Sequence, residues 1–104
     1  MKKATLIFLC GLILAGCAND QYAIEKHYWQ AQKLAEKIFK NPQASPPKEL
    51  ERTVNTLNKF ALKYPQNNLS INAEFTIARL YVVKEEYDKA RTQLEALLHK
   101  YIKS

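Results

Sequence analysis

Few side chains in this sequence have chemistry to offer, and they are scattered. His27 and His99 stand far apart, Glu85 and Glu86 are adjacent, and Cys10 and Cys17 are the two cysteines. No spacing suits a metal, and no Gly-rich loop or nucleophile–base order is present. His99 falls among basic residues at a helix end, where it suits the dipole. Glu85-Glu86 reads as a solvated turn. These residues argue against an enzyme and call for no cofactor and no metal. That leaves the Cys17 thiol, and what singles it out is the sequence in front of it.

Met1-Lys2-Lys3 is basic, and Ala4 to Ala15 is mostly apolar. A charged start, a short apolar run and small residues before a cleavage point make an export signal. The run falls short of the about 20 residues that a bilayer span needs. Leu14-Ala15-Gly16-Cys17 resembles the lipobox of bacterial lipoproteins. The resemblance implies cleavage before Cys17, diacylglycerol on its thiol and a fatty acyl group, such as palmitate, on the new amine. Residues 1–16 are then a signal peptide and 17–21 a short tether. Ala18, where an Asp would be linked to inner-membrane retention, favours the outer membrane, facing the periplasm, in a two-membrane cell.

Cleavage would remove Lys2 and Lys3 from a chain whose formal charge is +6. The remaining basic surface could favour anionic head groups or an acidic partner, but is too weak to argue nucleic-acid binding. Cys10 would leave with the signal, so neither a disulfide nor a free thiol would hold the mature domain, and packing must do so unaided. Both glycines, Gly11 and Gly16, also lie in the signal. A domain without glycine is poor in tight hairpins, and Ala, Leu, Glu, Lys and Gln favour helix. The sequence therefore predicts an all-α domain over 22–104.

Four helices follow from the apolar periodicity. The first runs from about Asn19 or Gln21 to Phe39 or Lys40, with Ile24, Tyr28, Ala31, Leu34, Ala35 and Ile38 inside. Pro42, Pro46 and Pro47 end it and open the second, which buries Leu50, Val54, Leu57, Ala61 and Tyr64. Tyr64–Asn68 is a turn, and Ser70 a candidate N-cap for the third helix, with Ala73, Ile77, Leu80 and Tyr81 inside. After Lys84-Glu85-Glu86 the fourth places Tyr87, Ala90, Leu94, Leu97, Leu98 and Tyr101 inside.

The second and fourth helices repeat one another: Leu57, Lys63 and Tyr64 align with Leu94, Lys100 and Tyr101. Lys33–Ile38 aligns likewise with Thr76–Tyr81, and the proline-rich loop absorbs the difference in spacing. The expected architecture is two stacked antiparallel helical hairpins, about 22–65 and 69–103. Here the chain resembles the tetratricopeptide repeat, through Ile77, Ala78, Tyr81, Tyr87, Ala90, Leu94 and Leu97, and through Leu34, Ala35, Ile38, Leu57, Phe60 and Pro65. It departs at Glu85 in place of the turn glycine, at Thr53 and Ile102, and in the long first loop. A plain four-helix bundle is the alternative.

The resemblance implies a concave groove lined by the first helix of each hairpin. It maps onto Trp29, Gln32, Glu36 and Phe39, and onto Asn72, Phe75, Arg79 and Val82. Independently, Trp29, Gln32, Glu36 and Phe39 fall within an arc of about 80° beside the core stripe. Two uses of these residues stand open. They form a binding face, or Trp29 and Phe39 pack under the proline-rich loop while Phe75 and Val82 fill space between hairpins. The sequence thus suggests a membrane-anchored, non-catalytic adaptor for an envelope protein or peptide. The alternative is a small structural or lipid-surface lipoprotein. Two units are fewer than stacked repeats usually need, so docking, homo-oligomerisation or an added helix is expected.

Overall fold

The computed structural model describes the backbone of residues 2–65 and 67–102, and their side chains from residue 20 onward. Among the described residues the chain is all-α: α1 (Lys2–Lys40), α2 (Pro47–Lys63), α3 (Asn68–Val83) and α4 (Tyr87–Ile102). α1 starts earlier than the periodicity suggests and runs without a break through residues 17–21. Cys17 and the apolar run before it lie outside the residues whose side chains are described. Among the described residues no helix is long and apolar enough to cross a membrane.

The helices form two stacked hairpins, α1–α2 and α3–α4. α3 meets all three of the others, whereas α4 meets α3 alone among the described residues. One apolar cluster fills the space between α1, α2 and α3, with Ile38, Leu57, Ile77 and Leu80 sealed from solvent. Burying a side chain of this size contributes about 1.5–3 kcal/mol. Ala35, Ala61, Ala78 and Ala90 are also buried. Side chains this small let helix axes approach closely.

Local chemistry fixes the boundaries. Pro47 opens α2, where its missing N–H costs nothing. Asn67, not Ser70, caps α3: its side chain accepts from the Leu69 N–H at 2.8 Å. Ser70 lies inside the helix, buried, and its hydroxyl donates to the Tyr64 carbonyl. That bond ties the end of α2 to the start of α3. Lys84 reaches across to the first hairpin, donating to the carbonyls of Pro42 at 2.7 Å and Ser45 at 2.8 Å. The proline-rich loop is thereby held against the end of α3.

Core positions match the periodic pattern in α1, α2 and α3, with Ile24, Leu34, Tyr64 and Tyr81 only half-buried. α4 differs. Ala90 and Leu97 are buried, but Tyr87, Leu94 and Leu98 are exposed. A helix with one neighbour buries one narrow stripe.

The turn into α4 carries the backbone's departure from ordinary geometry. Glu85 has φ 61°. The Glu86 N–H donates to the Tyr81 carbonyl at 2.8 Å and the Glu85 N–H to Val82 at 3.0 Å. This pair of bonds closes a helix with a left-handed residue, the usual place for glycine. An L-residue pays roughly 1–2 kcal/mol there, and the exposed Glu85 side chain makes no hydrogen bond described here that would offset it. Glu85→Gly should therefore raise stability by roughly 0.5–1 kcal/mol, after the entropy that glycine loses on folding. A urea midpoint at or below that of the parent would show that the turn is not strained.

Candidate protein-binding face

The eight residues expected to line a groove sit on α1 and α3, which pack against each other. On α1, Trp29 and Glu36 are exposed, Gln32 and Phe39 half-buried at the border with α3. On α3, Asn72, Phe75, Arg79 and Val82 are all exposed. Trp29 and Phe39 do not share the role of packing beneath the loop. Trp29 is 57% exposed, and its ring meets the edge of buried Tyr28 at 5.5 Å. Phe39 packs on the core from one side.

Its other side carries a further contact between the two helices. The Arg79 guanidinium lies over the Phe39 ring at 4.7 Å from the centroid. A cation–π contact at an exposed site is worth about 0.5–1 kcal/mol. It also holds Arg79 toward α1; the off-core residues Trp29, Glu36 and Phe39 of α1 and Asn72 and Arg79 of α3 make up the α1–α3 strip. Gln32 lies within this strip, and its Oε1 is buried with no hydrogen-bond partner among the described residues. Phe75 goes elsewhere: it lines an open apolar groove between α3 and α4. At about 100° per residue, Val82 falls within 20° of Phe75 on the α3 wheel, on the α4 side. The expected face is therefore split, six residues on the α1–α3 strip and two facing α4's side.

His27 is tied into the structure, with Nδ1 at 3.2 Å from the Tyr64 hydroxyl. His99 is exposed on α4. Among the described residues no group of His, Cys, Asp and Glu side chains could hold a metal.

A second cluster of charged and polar groups lies on the other side of α3. The Glu74 carboxylate accepts from Lys100 Nζ at 3.0 Å and from the Tyr101 hydroxyl at 3.1 Å, while Gln93 donates to the Glu74 carbonyl at 3.2 Å. These bonds pin α4 to α3. The hydrogen bond to Glu74 raises the Lys100 pKa above 10.5. Burial, then the Glu74 charge, raises Tyr101 above 10.0. Burial likewise raises Tyr28.

No protein-family model matches the chain, and no curated protein or solved structure matches it either.

The raised values have a consequence for stability. In each case the folded chain holds its proton more tightly than the unfolded chain does. That stability is complete below the unfolded pKa and is lost as pH climbs through the folded one. The melting temperature should fall as pH rises above about 10, the unfolded value of tyrosine. Tyr101→Phe should flatten part of that fall, with Lys100, about half exposed to solvent, contributing little. An equal fall in parent and variant would remove Tyr101 from the account.

Proposed function

We propose that this chain is a non-catalytic adaptor, tethered to the envelope membrane through a lipidated Cys17, that holds a protein or peptide on the α1–α3 strip. The observation that carries the reading is the Arg79–Phe39 contact. It links the off-core sides of two helices near one end, with Trp29 exposed further along α1. Large aromatic and Arg side chains at an exposed surface are the residues that dominate binding energy at protein interfaces. Glu36 and Arg79 supply opposite charges for orientation.

The repeat ancestry belongs to the same proposal. Glu85 takes a left-handed conformation where tetratricopeptide repeats have their turn glycine, and Ala78 and Ala90 are buried where that family has small residues. The anchor rests on the Leu14-Ala15-Gly16-Cys17 sequence and the apolar run before it. By it the domain faces the periplasm from the outer membrane of a two-membrane cell, and the alternative is a lipoprotein that lies on anionic lipid.

A photo-crosslinking residue at Trp29 or Arg79, in the full chain in growing cells, should give discrete protein adducts that are missing from a convex control at Lys59. Adducts no stronger than those from Lys59 would sink the adaptor reading. In the same cells a clickable fatty-acid analogue should label the parent chain and leave Cys17→Ser unlabelled. Equal labelling of the two chains would remove the anchor while leaving the crosslinking result to stand alone.

A further inference from the structure

α4 turns an apolar side to solvent. Tyr87 is 62% exposed, Leu94 38%, Leu98 58% and Ile102 74%. At 3.6 residues per turn they fall within an arc of about 80°, which also holds the exposed Arg91. Together with Ile71 and Phe75 of α3 the C-terminal part of this side forms an open groove of about 350 Å³. Scattered apolar residues on a surface are ordinary, but a continuous stripe marks an interface.

The internal repeat shows that such a stripe is meant to be covered. Tyr87, Leu94 and Leu98 align with Leu50, Leu57 and Ala61 of the first hairpin, and all three of those are buried. Leu50 and Leu57 belong to the core cluster that α3 closes. Positions buried within each hairpin agree instead: Thr53 with Ala90, and Phe60 with Leu97. α4 thus leaves open the side on which α3 covers α2, and on that side Arg91 stands where the first hairpin has the buried Val54.

We infer that a second copy of this chain covers the groove, joined about a two-fold axis with the two α4 helices antiparallel. Two observations select this occupant. In head-to-tail stacking α1 of the next copy would sit as α3 sits on the first hairpin, and the α1 residues that align with Ala73, Thr76 and Leu80 are the exposed Gln30, Lys33 and Lys37. A polar outer side cannot seat on the apolar groove, which disfavours head-to-tail stacking and leaves an isologous pairing. The α4 sequence is moreover complementary to itself in reverse. With Leu94 set against Leu94 of the second copy, Arg91 of each copy lies within about 3 Å along the axis of Glu95 of the other. Ile102 then meets Tyr87. Arg91 and Glu95 are both exposed, and neither has an ion pair among the described residues. This interface is separate from the α1–α3 strip and does not depend on the adaptor reading.

The test places a photo-crosslinking residue at Leu98 in the full chain, expressed in cells beside a tagged copy. The expected product is an adduct of one tagged and one untagged chain. Arg91→Glu should lower its yield roughly tenfold, because two attractive pairs become repulsive. Adding Glu95→Arg should restore it. Far-ultraviolet circular dichroism of each variant keeps loss of pairing distinct from loss of fold. No adduct between copies, an adduct to another protein or within one chain, or a double reversal no better than the single one overturns the dimer.

Discussion

Everything in this fold passes through α3. Ala73, Ile77 and Leu80 are sealed between α1 and α2, Ala78 is buried as well, and Glu74 holds the end of α4 through two hydrogen bonds. The helix is apolar or small around most of its circumference, so it is stable only when surrounded. The first hairpin cannot close its core without α3, because Leu50, Val54 and Leu57 would then face water. α4 in turn has no other neighbour among the described residues. Loss of volume in α3 would therefore be felt at both hairpins at once, since packed interiors transmit strain.

The two unpaired surfaces flank this central helix and differ in kind. The α1–α3 strip mixes Trp29 and Phe39 with Glu36, Arg79 and Asn72. That composition suits a partner that comes and goes, whose orientation is set by polar contacts. The α4 side is nearly all apolar. Its exposure costs solubility at every moment that it stands uncovered, which suits a lasting contact. Phe75 lies at the boundary, which explains why a single sequence offset cannot assign it to one surface or the other.

Periodicity alone reveals the helices, the stripe in α1, α2 and α3, and the repeat that makes two hairpins of them. These are local regularities, and the residues that carry them are neighbours along a helix. What periodicity omits is whether a stripe meets anything. Tyr87, Leu94 and Leu98 repeat as regularly as Ala73, Ile77 and Leu80, yet they lie in water, because coverage depends on the number of neighbours. The same limit applies to Lys84 and to Arg79, whose partners are far off in sequence. Asn67 and Ser70 show a finer limit. Both residue types cap helices, and the choice fell to Asn67 because Ser70 is needed to tie the end of α2.

Lys84 has a mechanical consequence. Its ammonium group grips two carbonyls of the proline-rich loop, while its own backbone closes α3. Twisting one hairpin relative to the other would pull that group from both acceptors and leave a partly buried charge unpaired, a costly state. The stack therefore resists torsion, and the α1–α3 strip is held in one shape. A surface of fixed shape loses little entropy on binding. It also favours occupants already shaped to match, so selectivity here would come from stiffness as much as from side-chain chemistry.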